Sequence, residues 1–249
     1  MFGSFLHSGI YYLADGLVLG LLLFIVWRGL WQRLLAPSLY LLALLLIDGF
    51  ARRYVLYHFG EKSLQWFYFY WLTDIVLALG AFLLICTFFQ RACANEAKMW
   101  HFVRLFLVFV FILVLGISAF SLSRNYGNIH GQFMMEFQQD LYFTCLVLNT
   151  LVYILVQQLE AADDELSLLV SGMGLQFAGP AANLALVFLT GGQQYANALM
   201  TYLSPLCTLG MLITWFYTVV RMSKPVELSS SKKLAKVRTG MPILQLHRG

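Results

Sequence analysis

The chain has 249 residues, of which 60% are hydrophobic and only 11% are charged, and its formal net charge is +4. Soluble globular domains contain roughly 45–50% apolar and about 25% charged residues. This composition, with a mean hydropathy of +0.74, excludes a disordered tail, a secreted disulfide scaffold and a nucleic-acid-binding domain. It predicts one compact domain embedded in a membrane.

Seven stretches are long and apolar enough to cross a membrane as helices. A hydrocarbon core about 30 Å thick needs about 20 mostly apolar residues. The connections are short, so consecutive helices are expected to be antiparallel neighbours. We predict an all-α, polytopic membrane protein, with a bundle of seven transmembrane helices over residues 1–222 and a basic cytoplasmic tail over 223–249. The predicted helices are 6–27, 34–57, 66–89, 102–123, 138–159, 166–190 and 195–220.

The distribution of lysine and arginine predicts the orientation of these helices. The first basic residue, Arg28, follows the first apolar stretch, an order that favours an uncleaved helix with its N-terminus outside over a signal peptide. This orientation places twelve basic residues on the cytoplasmic side and four on the other. Because cytoplasmic loops are enriched in basic residues, we predict an outside N-terminus and a cytoplasmic C-terminus.

All six tryptophans fall near the ends of predicted helices. Indole rings prefer the headgroup level of a bilayer. We therefore interpret all six as interface anchors. They are Trp27, Trp31, Trp66, Trp71, Trp100 and Trp215.

The last two predicted helices contain small residues and prolines. Gly172, Gly174 and Gly179 precede Pro180 in the sixth helix, and Pro205 interrupts the seventh. Small residues let helices approach closely, and proline kinks a helix because it lacks a backbone donor. We favour close helix packing over a transport or receptor function as the reason for these residues.

Three carboxylates, Asp15, Asp48 and Asp74, lie inside predicted helices. An ionised group at the centre of a bilayer costs at least about 2.5–3.5 kcal/mol, so each of them requires a partner or a function. Asp74 follows Trp66 by eight residues, or about 12 Å at helical rise. We predict that these carboxylates lie in the outer half of the membrane.

Helical spacing groups further polar residues with these carboxylates. Residues three or four apart share one helix face, and a set of such faces turned inward would line a polar pocket that opens outward. The candidate pocket consists of Asp15, Asp48, Asp74, His7, Tyr11, Arg52, Arg53, Tyr70, Arg124 and Asp140. In the cytoplasmic half, the polar residues are mainly amides that are expected to join helices, namely Asn149, Gln157, Gln158 and Gln176.

Three interpretations of the candidate pocket remain open. In the first, its charges pair internally: Asp48 with Arg52, and Asp15 or Asp74 with Arg53, Arg124 or a tyrosine hydroxyl. In the second, the carboxylates form a site for a cation, a proton or a small polar ligand. In the third, the residues lie closer to the helix ends than the spacing predicts.

The residue pattern argues against several functional classes. A catalytic nucleophile with a nearby base is missing, as are paired histidines at one depth and a metal-binding motif, so we expect no enzyme activity, no cofactor and no metal. The last predicted helix contains no lysine, which excludes a retinal protein. The four cysteines form no CxxC pair, and we expect them to be free thiols packed as small hydrophobic residues.

The short loops and the run Tyr70, Trp71, Asp74 resemble bacterial seven-helix membrane proteins of unknown function. The resemblance implies a location in the bacterial inner (plasma) membrane and implies no activity. We expect a non-catalytic accessory or scaffold subunit, or a sensor-like module, with a protein partner or as a homo-oligomer. The alternative is a transporter of a small solute, cation or proton that uses the intramembrane carboxylates.

Both charged segments on the predicted cytoplasmic side have expected structural roles. Residues 160–165 contain four acids, of which Asp163 and Asp164 are expected to cap the sixth helix. In the tail, basic residues near the membrane would each add about 1 kcal/mol of attraction to anionic lipid. The residues expected to contact lipid or a partner are Lys232, Lys233, Lys236 and Arg238.

Truncation of the chain after Lys224 tests the role of the tail. We expect lower abundance, an altered orientation or the loss of a co-purifying protein, because the tail supplies most of the basic residues that follow the last helix. The measurements are membrane abundance, protease accessibility of the N-terminus and the protein composition after purification. If all three are unchanged, the tail does not dock on lipid or a partner.

Overall fold

A computed structural model describes residues 2–60, 63–94, 96–124, 129–158, 164–190 and 193–222. Within these ranges, it describes the side chains of all residues except 2–8, 11, 97, 118–119, 121–124, 129–136, 181, 183–190 and 193–202. The described chain is helical almost throughout and contains no strand. The all-α prediction is confirmed.

Each predicted stretch coincides with a helix to within a few residues. The exception is the predicted stretch 138–159, whose helix begins at Ile129, nine residues earlier. The second helix is continuous from Leu35 to Phe59, with a π-helical segment between two α-helical parts. The elements are α1 (Phe2–Trp27), α2 (Leu35–Leu44), the π segment (Leu45–Ala51), α3 (Arg52–Phe59), α4 (Leu64–Ala92), α5 (Ala97–Arg124), α6 (Ile129–Gln158), α7 (Asp164–Thr190) and α8 (Gln193–Met222).

Five helices in the described part of the chain are long and apolar enough to cross a membrane, which indicates a membrane protein. The described apolar part of α1, Tyr12–Trp27, is shorter. The seven-span count and the orientation therefore stay predictions. The five spanning stretches are Leu35–Phe59, Leu64–Ala92, Lys98–Ile117, Phe137–Gln158 and Leu203–Met222.

Local sequence accounts for the short connections between the first helices. Gly29 and Gly60 have φ values of +67° and +75°, which suit glycine because it has no Cβ. Gly60 ends α3, and the Ser63 hydroxyl then accepts a hydrogen bond from the backbone N–H of Trp66 at 3.1 Å, which caps α4. The α3–α4 turn is thus fixed from both sides.

Helix α4 lies at the centre of the packing. It contacts α2, α3, α5, α6 and α7, while α1 packs on both α2 and α8. Helix α5 is peripheral, since its main contacts within the described residues are with α4 and α6, and it exposes an apolar face along much of its length. The arrangement brings α1, α3, α4 and α6 together at one end of the molecule.

Trp215 departs from the interface-anchor interpretation, which is wrong for this residue. Its side chain is only 1% exposed, and its indole N–H donates to the main-chain carbonyl of Leu169 at 2.9 Å. The ring lies edge-on to Tyr40, with centroids 6.4 Å apart. A residue near the end of a membrane-spanning helix can lie either at the membrane interface or inside the protein. Its position along the chain could therefore not distinguish these two locations.

The packing of α7 on α8 depends on glycine. A Cβ on Gly172 would lie 2.7 Å from Cδ1 of Trp215, and a Cβ on Gly179 would lie 3.3 Å from the Cα of Ser204. Pro180 and Pro205 lie inside these two helices. The small residues therefore permit close helix contact, as predicted.

Gly172→Ala tests this contact. The new methyl group would collide with an indole that is buried and hydrogen-bonded, so we expect a loss of about 1–3 kcal/mol in stability and a lower unfolding temperature. Thermal unfolding in mild detergent measures the change. Gly20→Ala is the matched control, because no atom lies within 4 Å of its added Cβ; an equal loss in both variants would contradict the packing argument.

Candidate functional site

Arg52, the first residue of α3, is bound by two carboxylates from different helices. Its Nη1 donates to Oδ1 of Asp48 at 2.6 Å, and its Nη2 donates to Oδ1 of Asp74 at 2.8 Å. Its Nε donates to the Thr73 hydroxyl at 3.0 Å, and its guanidinium lies 4.3 Å from the centroid of the Tyr70 ring. Bonds from each of its nitrogens fix the orientation of this guanidinium.

The π segment positions the first of these carboxylates. A π turn contains more residues than an α turn, and such turns are frequent at functional sites. Asp48 lies within the segment, and Arg52 follows directly after it. The segment therefore sets the angle at which both side chains leave the helix.

A second ion pair joins α1 to α3. Nη2 of Arg53 donates to Oδ2 of Asp15, and the Arg53 guanidinium lies 4.7 Å from the centroid of the Tyr12 ring. Gly49 faces this pair, since a Cβ there would lie 3.8 Å from Oδ1 of Asp15. We name Asp15, Asp48, Arg52, Arg53 and Asp74 the Arg52 cluster.

Helix α6 completes the coordination of Asp74. Nε2 of Gln138 donates to Oδ2 of Asp74, and the Tyr142 hydroxyl lies 3.4 Å from the same oxygen. Helical spacing from Asp140 predicts neither residue, because Gln138 and Tyr142 lie two positions away from it and therefore on the opposite face of α6. The available signal was the pair itself, an amide and a tyrosine four residues apart on a face of an apolar helix.

The charges of the Arg52 cluster do not cancel. Its three carboxylates and two guanidiniums leave one formal negative charge. Burial is uneven, since the Asp74 side chain is 12% exposed and the Asp48 side chain is 38% exposed. The cluster is therefore closed at Asp74 and open at Asp48.

Of the other four members of the candidate pocket, only Asp140 is among the described side chains. Asp140 is partly buried, and its main-chain carbonyl accepts a hydrogen bond from the Thr144 hydroxyl at 2.7 Å. The side chains of His7, Tyr11 and Arg124 lie outside the described ones. Their membership of the pocket stays a prediction.

A second group of ion pairs lies at the opposite end of the helices. Oε2 of Glu165, in the first turn of α7, accepts bonds from Arg33 at 2.5 Å and from Arg91 at 3.1 Å. Asp164 pairs with Arg221 of α8 at 2.8 Å. These acids therefore bind arginines of neighbouring elements in addition to lying at the positive end of the helix dipole.

Asp163 of the predicted cap lies outside the described residues, and so do the tail residues predicted to contact lipid or a partner. These are Lys232, Lys233, Lys236 and Arg238. Their roles stay predictions.

The predicted role of the amides in joining helices is confirmed at Asn149 and Gln176 in the interior and at the exposed Gln157, while Gln158 is exposed. Asn149 on α6 donates to the main-chain carbonyl of Val170 on α7 at 3.1 Å, and Gln176 on α7 donates to the Tyr40 hydroxyl on α2 at 2.7 Å. Gln157 donates from α6 to α7 at 3.4 Å. Amides thus join the helices where the interior contains few charges.

All four cysteines are free, and Cys93 and Cys145 are buried. Burial, helped by Glu96, raises the pKa of the Cys93 thiol in the α4–α5 turn, which disfavours a reactive thiolate. Among the side chains that the structure describes, no group of three His, Cys, Asp or Glu residues is placed to hold a metal ion.

The chain matches no protein-family model, no curated protein and no solved structure.

Arg52→Leu tests the Arg52 cluster. The substitution leaves Asp48 and Asp74 without their shared guanidinium, so we expect a loss of about 3–5 kcal/mol in stability. The double variant Arg52→Leu/Asp74→Asn should recover part of the loss, because it removes one of the uncompensated charges. Thermal unfolding in detergent measures both.

The control for this prediction is Arg104→Leu, which changes an exposed arginine on α5. Equal stability of Arg52→Leu and Arg104→Leu would show that the cluster does not hold the helices together.

Proposed function

We propose that the chain is a non-catalytic integral membrane protein that serves as an accessory or scaffold subunit, or as a sensor-like module with an outward-facing polar pocket. The observation that carries the proposal is the shared coordination of Arg52 by Asp48 and Asp74. Carboxylates held in ion pairs between helices are suited to fixing a structure. They are poorly suited to acid–base catalysis, which requires a carboxyl group that can exchange its proton with a substrate.

The proposed topology has seven transmembrane helices, an outside N-terminus and a cytoplasmic C-terminus, in the inner membrane of a bacterium. The five apolar spanning stretches support it, and so do the lengths of α1 and α7. With this orientation the Arg52 cluster lies towards the outside, and the pairs of Glu165 with Arg33 and Arg91 lie towards the cytoplasm. The basic tail would then contact anionic lipid of the inner leaflet.

Helix α5 supports a role within a larger assembly. Within the described residues its main contacts are with α4 and α6, and several of its apolar side chains, among them Phe102, Leu105, Phe109 and Ile112, are more than half exposed. This face can lie against lipid or against another subunit. We propose that it provides the contact with a protein partner or with a second copy of the chain.

The alternative function is transport of a small solute, a cation or a proton. The formal negative charge of the Arg52 cluster and the partial exposure of Asp48 favour it. Intramembrane carboxylates often mark ion pathways. The scaffold role ranks first because each of the three carboxylates is bound by an arginine.

Purification in mild detergent, followed by mass determination, separates the two functions. An accessory role predicts a stoichiometric partner or a homo-oligomer, and Phe109→Glu on the exposed face of α5 should dissociate it, because a charge would then have to be buried in an apolar contact. Leu83→Glu, on an exposed face of α4, is the control. A monomer without a partner would contradict the accessory role.

Flux measurements in liposomes test transport directly. If the chain transports a cation, Asp74→Asn should abolish the flux, while Glu96→Gln, at an exposed residue between α4 and α5, should leave it unchanged. Flux that persists at full rate in Asp74→Asn would exclude a transport role for this carboxylate.

A further inference from the structure

Arg28 follows the last residue of α1, and its backbone is held by a helix-ending motif. Gly29 comes next, with a φ value of +67°. The N–H of Gly29 donates to the carbonyl of Val26 at 3.0 Å, and the N–H of Leu30 donates to the carbonyl of Ile25 at 3.1 Å. This pair of bonds is the Schellman arrangement, which ends a helix at a glycine. The position from which the Arg28 side chain leaves the backbone is therefore fixed.

Two aromatic rings of α1 hold the side chain of Arg28. Its guanidinium carbon lies 5.3 Å from the centroid of the Phe24 ring and 5.3 Å from that of the Trp27 ring. A guanidinium is attracted to the face of an aromatic ring, but the ring has no formal charge to compensate it. Within the described part of the chain, no carboxylate pairs with Arg28. Its charge and its five N–H donors are thus available to a ligand.

The end of the molecule that contains Arg28 carries a positive charge. Arg33 and Arg91 share a single carboxylate, that of Glu165. Six basic and three acidic residues are described at this end, which leaves three formal positive charges. Such a surface attracts an anion and repels a group that brings its own cation. The basic residues are Arg28, Arg33, Arg91, Lys98, Arg104 and Arg221, and the acidic ones are Glu96, Asp164 and Glu165.

An apolar groove between α1 and α8 leads away from Arg28. The Phe24 ring contacts the Phe216 ring of α8, with centroids 5.8 Å apart. One turn earlier in each helix, Ile213 of α8 is 60% exposed, and a Cβ on Gly20 of α1 would have no atom within 4 Å. Residues three or four apart share a helix face, so these positions continue the surface that begins at the rings. We name this set the Arg28 groove, which consists of Gly20, Phe24, Trp27, Arg28, Ile213 and Phe216.

The chemistry of the Arg28 groove defines its ligand. A guanidinium can bind a phosphate through two parallel N–H···O bonds. The Trp27 side chain is 78% exposed, and indole rings prefer the headgroup level of a bilayer. The surrounding positive charge favours a headgroup with a net negative charge over a zwitterionic one. A soluble anion would leave the apolar part of the groove uncovered, whereas the acyl chain of a lipid would cover it.

We propose that the Arg28 groove binds one anionic phospholipid. The phosphate accepts hydrogen bonds from the Arg28 guanidinium, and an acyl chain lies along Gly20 and Ile213 between α1 and α8. The site belongs to the helical part of the chain and is separate from the basic tail over 223–249. It goes beyond the proposed function and requires neither the accessory role nor transport.

Thermal unfolding of the purified, delipidated full-length protein in mild detergent tests the site. Phosphatidylglycerol should raise the unfolding temperature with saturation, because a ligand of the folded state stabilises it. Phosphatidylcholine with the same acyl chains should leave the unfolding temperature nearly unchanged, since its headgroup has no net charge. Glycerol phosphate carries the anion without the chains and should have no effect at the same concentration. An effect of either compound equal to that of phosphatidylglycerol would overturn the proposal.

Two substitutions of Arg28 locate the lipid. Arg28→Gln removes the charge and should raise the half-saturating concentration of phosphatidylglycerol by about tenfold or more, as expected for hydrogen bonds to a charged group. Arg28→Lys keeps the charge but removes the planar guanidinium, so it should raise that concentration by a smaller factor. The tail is intact in both variants, so its own attraction for anionic lipid is unchanged.

The matched control is Arg104→Gln, which removes one positive charge from an exposed arginine at the same end of the molecule. It should keep the native half-saturating concentration. Native affinity in either Arg28 variant would overturn the proposal. Equal losses in Arg28→Gln and Arg104→Gln would also overturn it, since they would indicate a general electrostatic attraction only.

Discussion

The cost of an unpaired charge away from water is the constraint on which the rest of this structure depends. One guanidinium, that of Arg52, compensates carboxylates contributed by the π segment and by α4, and each would be costly without it. Because Asp74 also binds Gln138 and Tyr142, the same interaction fixes α6 against α4. The relative positions of three helices, the second helix, α4 and α6, thus follow from a few polar and charged atoms, while the apolar side chains fill the space between them.

Much of the architecture follows from the sequence because hydropathy acts over whole helices. The seven predicted stretches coincide with helices, and the pairing of Asp48 with Arg52 follows from their spacing of one turn. Contacts between helices are different, since they depend on the rotation of each helix about its axis. The rotation of α6 about its axis brings Gln138, rather than Asp140, to Asp74. A run of apolar residues does not specify this rotation.

Trp215 shows the same limit for individual side chains. Its place near a predicted helix end favoured the membrane interface, yet its neighbours Gly172 and Tyr40 enclose it in the interior. A glycine opposite an indole is visible only once two helices are aligned. The orientation of the chain depends in contrast on charge counts, and these are dominated by a tail outside the described residues. Topology and interior packing therefore rest on separate parts of the sequence.

The π segment gives the second helix a constraint on length. A helix of apolar residues usually tolerates exchange of one aliphatic side chain for another, because lipid and the protein core both accept apolar side chains of similar size. Because a π turn contains one residue more than an α turn, deletion of a single residue between Leu45 and Ala51 can be absorbed by conversion of the wide turn to ordinary α-helix, and the direction of Arg52 then stays nearly unchanged. Insertion of a further residue cannot be absorbed in this way and would rotate everything after it by about 100°, so that Arg52 would point away from Asp74. The segment is therefore expected to tolerate the loss of one residue better than the gain of one.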